Sequence, residues 1–214
     1  MKAKLLLAAG IFMFSGLANA ADSVDLKVSG KLAMGSCNIS LDDNVLNVGH
    51  IPVKNLTLLQ GDNSYQTSHY KTNLLLECSE ALPVAFTVTD NHPDTAISTA
   101  VLVGKYGLGK TEAGDNIGVL FLFANKDTSQ VNGTEGEVIY STNSGGGWSK
   151  GTTGLTTGAT NYYSIAKKGE ATPEPVTTAT MPLDIQLEFS KPVADALTEE
   201  QNFDGSMTFT LHYI

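Results

Sequence analysis

Val24-Asp25-Leu26-Lys27-Val28-Ser29-Gly30-Lys31-Leu32-Ala33-Met34 is the stretch from which the fold is best read. Apolar side chains stand at 24, 26, 28, 32 and 34, and Gly30 leaves the one empty slot. Period two puts that row on one face of an extended strand. A strand so one-sided needs a sheet edge to bind, and that edge need not belong to its own domain.

What precedes the strand reads as a removable leader. Lys2 and Lys4 form a positive start, Leu5 to Leu17 an apolar middle, and Ala18-Asn19-Ala20 a cleavage site. Residues 1–20 are therefore expected to be a signal peptide, with the mature chain starting at Ala21. The apolar run is too short to span a bilayer, and no later run approaches about 20 apolar residues. The protein is expected to be exported, without membrane insertion, into a bacterial periplasm or onto the cell surface. On that reading the sequons at Asn38, Asn55 and Asn132 carry no weight.

Removing the leader from the 214 residues leaves 194, enough for one all-β domain with a sizeable core. The formal charge of −9 becomes −11 once the two leader lysines go, and the chain has no arginine. Phosphate and nucleic-acid binders use Arg forks and basic patches, so nucleic acid is set aside as a partner. Cys37 and Cys78 are the two cysteines, and in an oxidising compartment they are expected to pair. The competing reading is two buried free thiols. A zinc site needs more ligands at close spacing, and none flank these two. No metal or cofactor is expected.

Beyond Cys37 the chain reads as strands and turns. Val84-Phe86-Val88 alternates until Asp90 to Pro93 breaks it, and Ile97 to Val103 is a β-branched run closed by Gly104. Ile117 to Phe123 is almost entirely apolar, as a strand covered on both faces would be. Glu137 to Ser141 is another candidate, and Leu183, Ile185, Leu187 and Phe189 alternate with polar residues. In the last strand, Ser206 to Ile214, Met207, Phe209, Leu211 and Tyr213 share one face. A helix is expected only over Val193 to Gln201, with Pro192 at its first position. Thr160 to Pro182 is expected to hold an exposed loop, and Ser141 to Thr160 to be a mobile surface loop. Short strands divided by turn clusters, with 21 glycines in the chain, point to an all-β sandwich.

Two motifs invite an enzyme reading, and each lacks its context. Gly104 to Thr111 spells G-x-x-x-x-G-K-[ST], but turn residues follow it where a phosphate-binding loop needs a helix. Gly147-Trp148-Ser149-Lys150-Gly151 spells G-x-S-x-G, with His212 downstream. A nucleophile elbow needs a strand before the serine and a helix after it, and glycines and threonines flank this one. His50, His69, His92 and His212 share no metal-ligand spacing. The expectation is a protein with no catalytic residues, not an enzyme. Trp148 on its Gly-rich loop remains open between a ligand contact and a half-packed loop residue.

The two ends together give the sharper reading. Ala21-Asp22, an alternating strand with Gly30-Lys31, then Cys37, is similar to the start of pilin subunits of chaperone–usher fimbriae. Leu74 to Cys78 and the terminal Thr208-Phe209-Thr210-Leu211-His212-Tyr213-Ile214 also resemble that family. The likeness covers both ends and the disulfide loop, and the middle from Asp90 to Pro182 is longer than in a small pilin, as in a divergent fimbrial-like branch. It implies an immunoglobulin-like sandwich over residues 36–214 that lacks its last strand, with residues 21–35 as an N-terminal extension. A periplasmic chaperone fills the groove first, and after passage through an outer-membrane usher the extension of the next subunit replaces it. The donor face would be Val24, Leu26, Val28 and Leu32, with Gly30 at a small-residue position, and Phe209, Leu211 and Tyr213 would line the acceptor side. Burying four aliphatic side chains would contribute about 6–10 kcal/mol before ordering costs. Such a head-to-tail contact does not close, so it grows a fibre. The implied protein is a structural subunit of a bacterial surface fimbria. The alternative is a self-complete exported β-sandwich that binds a carbohydrate or a protein.

Overall fold

The computed structural model describes residues 26–29, 34–61, 63–99, 104–125, 127–151 and 154–214. The chain divides into two units, Met1–Ala33 and Met34–Ile214. In the first, Leu26–Ser29 form no regular structure, and Leu26 and Val28 are each 89% exposed. The expected leader and the donor positions Val24, Gly30 and Leu32 lie outside the described residues.

The second unit is built from β1 (Cys37–Leu41), β2 (Thr57–Leu59), β3 (Ser64–Gln66), β4 (Tyr70–Leu82), β5 (Val84–Asp90), β6 (Lys105–Gly107), β7 (Gly118–Ala124), β8 (Gln130–Val131), β9 (Thr134–Ser141), β10 (Tyr162–Lys167), β11 (Val176–Ser190) and β12 (Met207–Tyr213). A single-turn helix, α1 (Lys191–Asp195), follows β11. Every strand pairing is antiparallel. In one layer β11 is the central strand. It pairs with β4 and β3 along one edge and with β7 and β8 along the other, and β1 lies outside β4. The other layer runs β9-β10-β5-β12. The β8–β9 hairpin joins the layers through Asn132 and Gly133, both at positive φ (50° and 76°), as a two-residue primed turn demands.

Period two explains why two layers form. Leu74, Leu76, Leu122, Met181 and Leu183 of the first layer and Phe86, Val88, Val138, Tyr163 and Ile165 of the second belong to one buried cluster. Phe86 packs on Tyr163 at 5.7 Å between ring centroids and on Phe209 at 6.0 Å. β7 is buried along nearly its whole length, as its unbroken apolar run predicts. The expected disulfide forms between Cys37 and Cys78, which face each other across β1 and β4.

The exposed loop expected within Thr160 to Pro182 spans residues 168–175, between β10 and β11. Pro182 is tolerated inside β11 because its missing N–H falls at the gap between β7 and β8. There Asn125 N–H donates to the Pro182 carbonyl, and the Asn125 carbonyl accepts from Ser129 Oγ instead (2.8 Å). The helix expected over Val193 to Gln201 is the shorter α1, ending at Asp195. Tyr65 Oη donates to Asp195 at 2.8 Å and Lys191 Nζ donates to it too, so the turn is fixed by tertiary contacts rather than by length. The Lys191 ammonium and the Tyr65 hydroxyl hold the Asp195 carboxyl below its usual range. Ile97–Thr99 carries no strand, and residues 100–103 lie outside the described ones.

Candidate functional site: an open groove beside the terminal strand

β12 pairs with β5, and among the described residues with nothing on its other side. The hydrogen-bond parity follows from its two ends. Asn91 N–H donates to the Ser206 carbonyl, and Ile214 N–H donates to the Pro83 carbonyl. In an antiparallel pair the bonded partners recur every second residue, so the main chain of 208, 210 and 212 also turns toward β5. The N–H and C=O groups of Met207, Phe209, Leu211 and Tyr213 therefore point to the free edge. Met207, Phe209 and Leu211 also turn half-buried side chains onto the core, while Thr208 and Thr210 are exposed.

A groove of about 1120 Å³ opens beside this edge. Its floor is Leu120 and Leu122 of β7, Leu183, Ile185 and Leu187 of β11, and Thr72 of β4. One rim is Met207 and Phe209; the other is the strandless segment from Asp43 to Val53. That segment packs Val48 and Ile51 on the core but leaves Val45 77% exposed and Leu46 37% exposed at the mouth. At the far end Phe203 meets Phe189 edge-on at 5.0 Å. The rim is acidic: Asp43, Glu199, Glu200 and Asp204 line it, and no lysine does. His50 Nδ1 lies 3.5 Å from Glu200 Oε1, linking the two lips.

Of the expected acceptor residues, Phe209 lines this groove and Leu211 and Tyr213 do not. Leu211 packs against the core beside the end that is tied shut. There Cys37 N–H donates to Tyr213 Oη at 2.8 Å, next to the Cys37–Cys78 bond. The groove begins where β1 ends, at Leu41. Met207 belongs to the site as much as Phe209, and its place in the same alternating row was the signal for it. The Asp43–Val53 wall left no such signal, because it contributes apolar residues without strand periodicity.

The first of the enzyme-like motifs meets the groove through Leu108. Lys105–Gly107 is β6, and a turn over Thr111 to Asp115 leads to β7, so no helix follows the Gly-rich run. Ser149 exchanges both main-chain hydrogen bonds with Tyr140, so its loop continues the sheet. His212 stacks on Tyr162 at 4.5 Å between centroids and contacts Thr87 Oγ1 at 3.1 Å, on the outer face of β12. Tyr106, on β6, donates to the Leu155 carbonyl at 2.8 Å, and burial pushes its phenol far above the ordinary range. Among the described residues no three His, Cys, Asp or Glu side chains converge as a metal site would require, and no helix is long and apolar enough to cross a membrane.

No family model matches the chain. It is similar over 98% of its own length, and 98% of the other's, to a protein of Escherichia coli strain K12 named "Uncharacterized protein YhcF", with 26% identity over 244 aligned residues.

Proposed function

We propose that this protein is a structural subunit of a bacterial surface fimbria, built as an incomplete immunoglobulin-like sandwich and polymerised by donor-strand complementation. The observation that carries the reading is the conjunction of a free β12 edge with a groove whose floor is aliphatic. Met207 and Phe209 offer main-chain groups along that edge and apolar side chains into that groove. An unpaired strand edge beside an open groove is an aggregation hazard that a protein must cover. Strand addition supplies both missing elements at once, main-chain partners for the edge and side chains for the groove. The alternating row at Val24, Leu26, Val28 and Leu32 has the matching periodicity, and Leu26 and Val28 are exposed.

In this reading a periplasmic chaperone occupies the groove first, the subunit passes an outer-membrane usher, and residues 21–35 of the next subunit then take the chaperone's place. The disulfide fits an oxidising, exported compartment. The test is assembly of the mature chain. Residues 21–214 should form head-to-tail oligomers that a candidate chaperone suppresses, and Leu26→Asp with Val28→Asp should leave monomers. A mature chain that stays monomeric, melts cooperatively and is destabilised by removing residues 21–34 would instead be the self-complete binding module.

A further inference from the structure

Carboxylates ring the mouth of the groove. Asp43 stands on one lip, and Glu199, Glu200 and Asp204 stand in the segment that leads into β12. All four are exposed. Among the described residues the lysine ion pairs go to Glu174, Asp127 and Asp195, none of which lines the groove. No lysine pairs with a rim acid. Glu200 has His50 at 3.5 Å and Asp204 has His92 at 3.7 Å, and neither histidine carries a formal charge at pH 7. The mouth therefore keeps an uncompensated negative field above a floor of leucines.

That field opposes a second copy of an acidic chain. The mature protein carries a formal −11, the −9 of the full sequence less its two leader lysines. Residues 24–34 are the local exception. With the apolar row on the floor, period two turns Asp25, Lys27, Ser29, Lys31 and Ala33 outward, between the lips. This face sets two lysines against one aspartate. Any register that keeps the apolar row down keeps the lysines on the rim side, so no particular pairing of side chains is required.

We propose that the acidic rim is the specificity determinant of the groove: among strands that fit the floor, it selects one with a basic outward face, that of residues 24–34 of a second copy. The inference rests on the donor-strand reading. The floor accepts any alternating apolar strand and cannot tell this extension from another. The rim can, because charge complementarity governs partner choice and the rate of encounter, and a like-charged strand is rejected. Burial of the apolar row holds the strand, and Lys27 and Lys31 decide which strand is taken.

The experiment measures capture of a fluorescent synthetic peptide of residues 21–34 by the mature chain, its own extension disabled by Leu26→Asp with Val28→Asp. At about pH 8, where histidine is neutral, and in about 20 mM salt, a peptide with Lys27→Glu and Lys31→Glu should be captured about tenfold more weakly than the wild-type peptide. Salt at about 0.5 M should shrink the gap to about twofold. A chain that also carries Glu199→Lys and Glu200→Lys should erase the preference. Both positions are exposed, so this chain should melt with its parent. Equal capture of the two peptides by the parent chain at low salt overturns the selective role while leaving strand capture standing. So does a gap that persists undiminished on the rim-reversed chain. Failure of both chains to capture either peptide removes the donor-strand reading and this inference with it.

Discussion

β1 and β12 meet at one end of the groove and part at the other. At the closed end, Cys37 is bonded to Cys78, and its N–H donates to Tyr213 Oη. At the open end, β1 stops at Leu41, and a segment without strand pairing replaces it as far as Val53. The closed end ties β1 to β12 within the subunit. The open end leaves the inner edge of β12 and a floor of leucines without a partner strand. Under the proposed function, stability and assembly would occupy opposite ends of one cleft, so changes at the two ends should separate in experiment.

The largest effect is expected at the closed end. Cys37→Ser with Cys78→Ser opens a loop with a sequence separation of 41. It should cost about 4 kcal/mol in the chain-entropy account, read as a fall in the denaturation midpoint. A loss far below that would mean that the closed end is held by packing rather than by the crosslink. Phe209→Ala comes next, at the open end. The ring is half-buried, so the free chain should lose about 1–2 kcal/mol, less than a fully buried aromatic. Capture of the 21–34 peptide should fall far more than the free chain's stability does. Equal losses in both would erase the distinction between the two ends.

Tyr213→Phe tests the closed end more gently. It removes the acceptor for Cys37 N–H at an exposed position and should cost about 1 kcal/mol, with peptide capture unchanged. The smallest effect is a control outside the cleft. Hydrogen bonds hold the Asp195 carboxyl below its ordinary value, so its contribution is complete above that ordinary value and lost as pH falls through the folded one. Asp195→Asn should therefore flatten the acid limb of the stability–pH curve slightly and leave the neutral region alone. A change in peptide capture with this variant would show that α1 communicates with the groove.

Much of this arrangement was legible in the residues because period two is local. β5, β7, β9, the second half of β11 and β12 stand where the alternation or the apolar run predicts. The failures have equally local causes. Within Thr160 to Pro182 only a loop was legible, because prolines and threonines mask β10 and the start of β11, and Pro182 is accommodated only because β7 and β8 leave a gap beside it. The helical signal past Asp195 gave way because the turn is held by Tyr65 and Lys191, and no matching contacts extend it. In the site, Phe209 and Met207 follow from the alternation of the last strand. The Asp43–Val53 wall does not, since nothing local sets it apart.

The sequence by itself determined the strand-rich class, the cysteine pair and the one-sided row at 24–34, each of which depends on periodicity or composition alone. Tertiary structure decided where β1 and β12 separate and which main-chain groups of β12 face an empty edge. Those facts depend on which strands become neighbours, and neighbours far apart in sequence are set by packing between the layers.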